Sequence, residues 1–563
     1  MMRSTVATLA LAGLLAACGA SPHGASPSTV PAAAATVSVG RPGESLVSQH
    51  AAVAADHPAA SRIGAEVLAR GGNAADAAVA TALALGVVNP FASGLGGGGL
   101  AVTSFEAGRV EILNFRERAP ACATPERYAS APADASRVGG LAVAIPSELA
   151  GLRELHRRFG RLPWGDVVEP AARLAEAGFE VTDLYRDRVS RMRPGSLGPE
   201  FDALYAPPAT GLRQNPALAR TLRALAGDGE ASTASEDYGG HIVAAVTAAG
   251  GCLTLDDMAR PDLALWQQPL AFDWHDLRVF SAGLPSAGGY VVAQTLGLVG
   301  GIEVDPSTAA GAHRWAWSMA HAFADRAVLG DTDRSRALLP RLLSPARALE
   351  LKASFSPDSM GPAERFGAHW VPDDHGTSHL SVVDAEGHAV ALTTTINGNF
   401  GSWVVVPELG IVLNNEIDDF VTRPGTANLF GLVGSEDNLV APGKQPLSSM
   451  SPTLVFDETG LLGAVGGSGG PRIASGVALV LGALGRGADP GTAVAAPRLH
   501  HQWMPFAVAI EPGLEPLEAS LRAAGHEVRV EPFVSAIQAI WRGTDGGWLS
   551  GSDPRKGGAP AGF

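Results

Sequence analysis

Thr377 stands directly after a glycine and directly before a predicted strand, and this position suggests a nucleophile. A threonine hydroxyl attacks poorly unless a base takes its proton. At a chain terminus, the residue's own α-amine, with a pKa of about 8 in model peptides, can be that base. Because Thr377 is internal, this chemistry requires cleavage between Gly376 and Thr377. The stretch therefore predicts a self-cleaving precursor, and a polar strand that follows an ordinary turn is the alternative.

Two further segments could assist such a nucleophile. Thr395 and Asn397 lie two apart on the next predicted strand, so both would face one side, and Thr395 could orient the Thr377 hydroxyl. Gly469 and Gly470 join a strand to a helix, where free backbone amides suit an oxyanion hole.

Charged and hydroxyl groups occur in three other places. Arg116 could grip a carboxylate with its guanidinium, although a surface salt bridge is the common fate of such a residue. The segment 414–420 concentrates three carboxylates, and its alternative is a solvated acidic loop. Ser448 and Ser449 offer paired hydroxyls between prolines, which alone indicate only a turn.

The glycine run 96–99 is not a nucleotide-binding loop. A phosphate loop follows a strand and supplies a Lys-Ser/Thr pair, whereas here the predicted order is helix, loop, strand and no Gly-Lys-Ser/Thr occurs. Close backbone packing beside a site explains the glycines better. A net charge of −15 without a Lys/Arg-rich run argues against nucleic acid as a partner.

The elements that must position these residues form layers. The pattern predicts helices over 59–70 and from Asn73 to Gly86, then a hairpin of strands 100–105 and 110–115. Helices dominate 140–260 and 312–330, strands dominate after Thr377, and 473–484 is a helix. Strand layers covered by helices indicate an α/β or α+β fold.

The N-terminus predicts export. Arg3 and the short apolar run 6–15 indicate that residues 1–17 are a signal peptide. The lipobox-like sequence Leu-Ala-Ala-Cys spans its end, and Cys18 is the predicted lipidation site. Residues 18–45 are predicted to be a flexible tether. We expect a bacterial envelope protein that faces the periplasm and meets the membrane only through this anchor. An ordinary secretory peptide, giving a soluble periplasmic or secreted protein, is the alternative.

Two cysteines remain after Cys18. Cys122 and Cys252 could pair in an oxidising compartment, or they could be two unpaired buried thiols, and the sequence leaves both open.

Taken together, these segments resemble the γ-glutamyltransferase (glutathione hydrolase) family of N-terminal-nucleophile hydrolases. The resemblance runs from about residue 48 to the C-terminus. Its motifs are His57-Pro58, 71–78, Pro90 with 94–98, 116–120, 285–289, 322–326, 377–379, 393–397, 414–420, 446–452 and 466–472.

The resemblance implies a role for each site residue. Thr377 would be the nucleophile, freed by cleavage after Gly376, and Thr395 would bond its hydroxyl. Gly469 and Gly470 would hold the oxyanion. Arg116, Ser448 and Ser449 would bind the α-carboxylate of the γ-glutamyl group, and Asn397, Glu416 and Asp419 its α-ammonium. A buried zwitterion needs both signs of charge nearby, and these residues supply them.

The resemblance also implies an α+β, four-layer αββα sandwich, divided into a large subunit (46–376) and a small catalytic subunit (377–563) that form a heterodimer. The expected substrates are glutathione and other γ-glutamyl compounds. No metal or organic cofactor is expected, since no His/Cys ligand spacing appears. Alternatives are an acylase of the same fold acting on glutaryl or poly-γ-glutamyl substrates, and a non-catalytic envelope lipoprotein.

Three positions deserve comment against the family pattern. Many family members have a lid loop with a Tyr that hydrogen-bonds to the residue equivalent to Asn397. The corresponding loop here is 424–445, and it has Phe430 at that position, which cannot form this hydrogen bond. His388 replaces a small polar residue and has no assigned role. His379 follows the pattern, and we expect it to be a packed strand residue instead of a general base.

Overall fold

The computed structural model describes residues 35–106, 108–192, 198–227, 233–366, 376–423, 435–532 and 535–563. The predicted signal peptide (1–17), Cys18, and the first half of the predicted lid (424–434), which includes Phe430, lie outside these ranges. Within them, no helix combines the length and the apolar character needed to cross a membrane.

The helices cover both outer faces of the molecule. They are α1 Pro58–Ala69, α2 Ala74–Val88, α3 Pro125–Ser130, α4 Glu148–Phe159, α5 Trp164–Ala177, α6 Asp183–Ser190, α7 Gly198–Tyr205, α8 Pro216–Gly227, α9 His241–Ala248, α10 Leu255–Met258, α11 Gly288–Val299, α12 Ala309–Arg326, α13 Asp333–Leu342, α14 Pro345–Ala353, α15 Arg472–Gly485, α16 Pro490–Ala495 and α17 Glu518–Ala523.

The strands are mostly short. They are β1 Ser38–Val39, β2 Leu46–Ser48, β3 Ala52–Ala55, β4 Gly98–Glu106, β5 Arg109–Phe115, β6 Leu265–Gln267, β7 Leu270–Trp274, β8 Leu277–Ser281, β9 Ser378–Val383, β10 Ala389–Thr395, β11 Val405–Val406, β12 Ile411–Val412, β13 Thr453–Asp457, β14 Gly460–Ser468, β15 Leu499–His500, β16 Ala507–Ile510, β17 Glu527–Val530, β18 Ala536–Arg542, β19 Trp548–Ser552 and β20 Ala561–Gly562.

Two antiparallel sheets carry the architecture. One has eight strands in the order β1-β20-β3-β9-β10-β4-β5-β6, and the other has seven in the order β2-β19-β18-β14-β13-β8-β7. The sheets face each other through β9, β10, β14 and β18. Two smaller sheets, β11-β12 and β15-β16-β17, complete the described part.

The pleat of β10 shows how the layers are built. Val390 and Leu392 belong to a core shared with α1, α2 and α5, whereas Ala389 and Ala391 belong to a second core shared with the facing sheet, α11, α12 and α15. Alternate side chains of a strand point to opposite faces, so this sheet is buried on both sides. The order helix, sheet, sheet, helix confirms the αββα sandwich.

The structure corrects three local predictions. The tether does not extend to residue 45, because Ser38–Val39 pair with β20 at the edge of the larger sheet. Gly98 and Gly99 belong to strand β4 and not to the preceding loop. β10 ends at Thr395, so Asn397, with a φ of 70°, lies beyond the strand that was predicted to carry both residues.

Candidate active site

Thr377 precedes β9, and the β9–β10 register places it beside Thr395. Ser378 pairs with Thr394 and His379 with Thr393, so the next position along brings the two threonines together. Their Oγ1 atoms are 3.2 Å apart. Thr395 Oγ1 also accepts a 2.8 Å hydrogen bond from Asn397 N, which fixes its position. The predicted closeness of Thr395 to Thr377 is confirmed.

The residue before Thr377 has to be glycine. Gly376 has a φ of 117°, and a Cβ there would lie 2.4 Å from the carbonyl oxygen of Asn397. In the uncleaved chain, the Gly376 carbonyl oxygen accepts hydrogen bonds from Thr377 Oγ1 at 2.8 Å and from Thr395 Oγ1 at 2.9 Å. The Thr377 hydroxyl therefore already contacts the peptide bond whose cleavage would free its own amine.

A lysine near the C-terminus anchors the backbone of Thr377. Lys556 Nζ donates to the carbonyl oxygen of Thr377 and lies 3.0 Å from Asp56 Oδ2. Asp56 is fully buried and also accepts from Gln538 Nε2 at 2.6 Å and from Ser468 Oγ at 3.2 Å. Sequence reasoning missed Lys556 and Asp56, because nothing in their local patterns links them to Thr377.

The glycine run makes the predicted close backbone contacts, one of them with the strand that carries Thr395. A Cβ at Gly97 would lie 1.9 Å from the carbonyl oxygen of Thr395, and one at Gly96 would lie 2.0 Å from that of Val412. Asn414 Nδ2 donates to the Gly96 carbonyl oxygen at 2.8 Å. The glycines thus allow the acidic segment that begins at Asn414 to approach β10 closely.

Arg116, at the end of β5, joins the two acidic residues of the predicted ammonium site. Its Nη1 pairs with Glu416, its Nη2 lies 2.7 Å from Asp419 Oδ2, and its Nε donates to the Pro446 carbonyl oxygen at 3.2 Å. The Arg116 and Glu416 side chains are each 1% exposed. The predictions of a surface salt bridge for Arg116 and of a solvated acidic loop are therefore wrong, because both groups are buried. The sequence could not show this, since the two compensating charges lie 300 residues apart in the chain.

Burial dominates the electrostatics of this cluster. It raises the pKa of Glu416 well above the ordinary range, against the lowering effect of Arg116, and it raises the pKa of Asp419 in the same way. Glu117, next along the chain, has its pKa raised to about 8 by burial. Neither Glu117 carboxylate oxygen has a hydrogen-bond partner among the described residues.

The paired serines are held by the 285–289 motif. Ser448 N donates to the Pro285 carbonyl oxygen at 2.9 Å, and Ser286 Oγ donates to the Met450 carbonyl oxygen at 2.7 Å. A Cβ at Gly288 would lie 2.5 Å from the Ser449 carbonyl oxygen, so only glycine allows this approach. The two segments fix the Ser448 and Ser449 backbone.

Gly469 and Gly470 form the turn between β14 and α15. Their φ values are 127° and 51°, in the region that favours glycine. The Gly469 carbonyl oxygen accepts from Arg472 N at 3.0 Å, which directs the turn into the first residue of α15. The predicted oxyanion residues thus lie at a helix N-terminus.

One cavity brings most of the predicted site residues together. It is lined by Arg116, Arg326, Thr377, Thr395, Asn397, Glu416, Asp419, Ser448, Ser449, Met450, Gly470, Pro471 and Ile473. Gly469 adjoins the lining through Gly470. Arg326 belongs to the 322–326 motif, and the sequence predicted no role for it. It lines the same cavity.

Other predicted residues lie outside this cavity. His379 is buried in β9 with Nδ1 2.8 Å from Thr393 Oγ1, and burial lowers its pKa to about 3, which agrees with a packed strand residue. Cys122 and Cys252 form a disulfide, which decides between the two states that the sequence left open.

His388 belongs to a small cluster around the buried Asp384. It lies with Asp384 and Glu386, whose ligand atoms are all within 4.8 Å of one another. His388 Nδ1 is 2.9 Å from Asp384 Oδ2, and both Asp384 oxygens already accept backbone N–H groups. These bonds explain the cluster as the turn between β9 and β10.

Comparison with known proteins identifies the chain. The family model described as gamma-glutamyltranspeptidase matches residues 60–563. The chain belongs to the γ-glutamyltranspeptidase family. It is 37% identical to the glutathione hydrolase proenzyme of Pseudomonas aeruginosa, over 90% of this chain and 93% of that one. It is 35% identical to glutathione hydrolase 2 of Arabidopsis thaliana, over 92% of this chain and 95% of that one.

Solved structures of an acylase and of a gamma-glutamyltranspeptidase are both similar to this chain. The cephalosporin acylase from Bacillus halodurans superposes with a TM-score of 0.78 at 26% identity, covering 96% of this chain and 99% of that chain. The gamma-glutamyltranspeptidase of Helicobacter pylori superposes with a TM-score of 0.51 at 27% identity, covering 55% of this chain and 93% of that chain. The N-terminal-nucleophile fold is thus common to both activities.

Proposed function

We propose that the chain is a γ-glutamyltransferase and glutathione hydrolase that uses Thr377 as its nucleophile. The observation that carries the proposal is the cavity itself, where the Thr377 hydroxyl and its partner Thr395 share a lining with two arginines and two acids. The relatives from P. aeruginosa and A. thaliana are named as glutathione hydrolases. We take glutathione and related γ-glutamyl compounds as the donors, and water, amino acids or peptides as the acceptors.

Maturation would begin at the Gly376 carbonyl. Thr377 Oγ1 attacks its carbon, the Gly376–Thr377 C–N bond breaks, and the Thr377 nitrogen takes up a proton to become the α-amine. Water then hydrolyses the resulting ester and leaves a Gly376 carboxylate. The Thr395 hydroxyl, which donates to this carbonyl oxygen, is placed to stabilise the negative charge that develops there. Residues 46–376 and 377–563 would remain together as a heterodimer.

Catalysis would reuse the same hydroxyl. The freed α-amine takes the Thr377 hydroxyl proton, Oγ1 attacks the γ-carbonyl carbon, and the leaving amine departs with a proton. Water or an amine acceptor then resolves the acyl-enzyme. The amides of Gly469 and Gly470 would bind the oxyanion in both steps, since a helix N-terminus favours negative charge.

The head group would be recognised by charge. Glu416, Asp419 and Asn397 would take the α-ammonium, while Arg116, Ser448 and Ser449 would lie on the carboxylate side. Glu416 Oε2 and Ser449 Oγ are buried without a partner among the described residues, which leaves an acceptor and a hydroxyl available for a ligand.

The second candidate is an acylase of the same fold that acts on glutaryl groups. The superposition on the B. halodurans cephalosporin acylase supports the acylase class. A glutaryl group lacks the amine and would leave Glu416 and Asp419 without a cation from the substrate. We therefore expect the γ-glutamyl anilide to exceed the glutaryl anilide in kcat/KM by at least about 100-fold, because Glu416 Oε2, which has no partner among the described residues, stays unsatisfied with the poorer substrate. Equal values for the two anilides would reject the γ-glutamyl assignment.

Processing is tested with Thr377→Ala. The wild-type protein should give two fragments on a denaturing gel, and the variant should give one full-length band without activity. Thr377→Ser, which keeps a hydroxyl, is the control and should cleave. An active wild-type protein that stays a single chain would contradict the role of Thr377.

We further propose a lipid anchor on Cys18 and a periplasm-facing location. The support is the lipobox-like sequence and the Cys122–Cys252 disulfide, a bond typical of oxidising compartments. Cys18→Ala should move the protein from the membrane fraction to the soluble fraction, and an unchanged distribution would speak for another form of export.

A further inference from the structure

Lys556 and Asp56 form a buried ion pair beside Thr377, outside the residues that line the cavity. The Lys556 side chain is 5% exposed, and the Asp56 side chain is fully buried. Lys556 Nζ lies 3.0 Å from Asp56 Oδ2 and also donates a hydrogen bond to the Thr377 carbonyl oxygen. A positive charge is therefore in direct contact with the residue proposed as the nucleophile.

Asp56 is held in place by residues of both large sheets. It follows β3 directly, its Oδ1 accepts from Gln538 Nε2 of β18 at 2.6 Å, and its Oδ2 accepts from Ser468 Oγ at the end of β14 at 3.2 Å. Burial raises the pKa of Asp56, while Lys556, Gln538 and Ser468 act in the opposite direction. These bonds fix the carboxylate, and the carboxylate in turn fixes the ammonium group of Lys556 against Thr377.

The carbonyl group that Lys556 contacts belongs to the residue whose amine the proposed cleavage creates. Within one residue, the carbonyl oxygen and the backbone nitrogen are about 3 Å apart, so a cation bonded to the oxygen of Thr377 lies within roughly 6 Å of its α-amine. A positive charge at this distance disfavours the protonated amine. An α-amine with a pKa of about 8 is mostly protonated at neutral pH and cannot take the hydroxyl proton in that form.

Other titratable groups also surround Thr377 in the described structure. They are Arg116, Arg326, Glu416 and Asp419 in the cavity lining, Glu117 beside Arg116, Glu148 beside Thr394, and His379 on β9, which burial keeps neutral by lowering its pKa to about 3. All of them are the same in every variant compared below. Differences between those variants therefore report on Lys556 and Asp56.

We propose that Lys556 is a positioning residue that keeps the freed α-amine of Thr377 uncharged, so that the amine can accept the Oγ1 proton, and that Asp56 moderates this effect. The inference rests on the proposed function, since the amine exists only after cleavage. The two members of the ion pair then act on one group with opposite signs. Lys556 favours the uncharged amine, and Asp56 favours the ammonium form.

The test measures the pKa of the α-amine itself in the mature protein by competitive acetylation. Trace acetic anhydride is added over a range of pH, and acetylation at the N-terminus of the fragment that begins at Thr377 is quantified by mass spectrometry. The wild-type pKa should lie below the value of about 8 found in model peptides. Lys556→Met should raise it by about one unit, and Asp56→Asn should lower it by about half a unit.

Steady-state kinetics give a second readout. On a γ-glutamyl anilide, kcat/KM of Lys556→Met should fall about tenfold at pH 7 and approach the wild-type value at pH 9, where the amine is mostly uncharged in both proteins. Lys556→Arg keeps the charge and should keep the wild-type pKa of the amine. Lys352→Met, which removes an exposed lysine of α14, is the control for net charge and should also leave that pKa unchanged.

Self-cleavage into two fragments checks that each variant folds, because removing one member of a buried ion pair leaves the other without its counter-ion. If Lys556→Met stays a single chain, the double variant with Lys556→Met and Asp56→Asn takes its place. This variant removes both charges, and it should still raise the pKa of the amine, by a smaller amount than the single variant, because Lys556 is the member that contacts Thr377.

Four results would overturn the inference. They are a wild-type pKa above about 8, no rise in Lys556→Met or in the double variant that replaces it, no fall in Asp56→Asn, and a rise in Lys556→Arg as large as in Lys556→Met. The proposed function fails separately, since a mature wild-type protein without activity on any γ-glutamyl anilide contradicts that function whatever the pKa of its amine.

Discussion

Two buried ion clusters in this molecule differ in how completely they are satisfied. Near the C-terminus, Arg498 lies 2.5 Å from Asp553, and Arg555 pairs with Glu511 and with Asp553 at 3.0 Å. Further bonds run to backbone carbonyls, such as Arg498 Nη1 to Val494 at 2.8 Å. Arg498 Nε is the only buried polar atom of these four side chains without a partner among the described residues.

The cluster in the cavity is less completely satisfied. We call it the open cluster, and we call the group of Arg498, Asp553, Arg555 and Glu511 the closed cluster. Arg326 Nε, Ser449 Oγ and Glu416 Oε2 are all buried without partners in the described structure, and their residues line the same cavity as Thr377. Native proteins satisfy nearly all buried polar groups, so several exceptions in one cavity indicate a ligand, whereas a closed cluster indicates a structural role. The closed cluster should therefore govern stability and the open one should govern substrate binding.

The largest effect on stability should come from removing an arginine of the closed cluster. Arg498→Met leaves Asp553 buried with less compensation, and we expect the protein to lose about 3–5 kcal/mol of stability, seen as a lower Tm in calorimetry. Arg326→Met removes a cation that has no partner among the described residues, so its Tm should stay the same or rise while activity falls. Arg529→Met, which removes an exposed pair with Glu527, is the control and should change stability by less than about 1 kcal/mol. A Tm loss in Arg326→Met as large as in Arg498→Met would erase the distinction.

A smaller effect separates two buried serines. Ser449→Ala removes a hydroxyl without a partner in the described part of the chain, so KM for the γ-glutamyl anilide should rise about tenfold with little change in Tm. Ser475→Ala removes a hydroxyl 2.8 Å from His500 Nδ1 and should lower the Tm with little effect on KM. Steady-state kinetics and thermal melts of both variants make the measurement. If Ser449→Ala loses stability at unchanged KM, its hydroxyl belongs to the scaffold.

The same contrast explains what the sequence could predict. The β9–β10 hairpin, and with it the closeness of Thr377 and Thr395, follows from alternating residues around a short turn, which is local information. The acidic segment 414–420 was open to a solvated-loop reading because its polarity alone favours water. It is buried because Arg116 comes from another part of the chain. Such pairings across 300 residues leave no periodic signal.

Elements near the two ends of the chain were missed for a related reason. β3 (Ala52–Ala55) and β20 (Ala561–Gly562) are short and rich in small residues, so neither shows a strand pattern. They become strands by pairing with each other, and β3 also pairs with β9. Lys556 lies just before β20, which is why its contact with Thr377 could be found only in three dimensions.

The smallest predicted effect concerns Glu148, a buried carboxylate whose charge is removed by protonation instead of being paired. Glu148 is buried, its Oε2 accepts from Thr394, and its Oε1 has no partner among the described residues. Burial raises its pKa from 4.5 to about 7, so the folded state holds a proton that the unfolded state releases. The resulting stabilisation is complete below pH 4.5 and is lost as the pH rises to about 7. Glu148→Gln, a neutral mimic of the protonated form, should lack this loss.

The Tm difference between wild type and Glu148→Gln should therefore fall between pH 5 and pH 7 and level off above, with a slope of at most one proton, about 1.4 kcal/mol per pH unit. Glu518→Gln, which removes an exposed carboxylate paired with Arg522, serves as the control and should follow wild type across this range. Parallel Tm curves for wild type and Glu148→Gln would mean that Glu148 stays ionised in the fold. In that case an unpaired buried carboxylate would stand beside Thr394, and the strand that carries Thr395 would need a cation from elsewhere to compensate it.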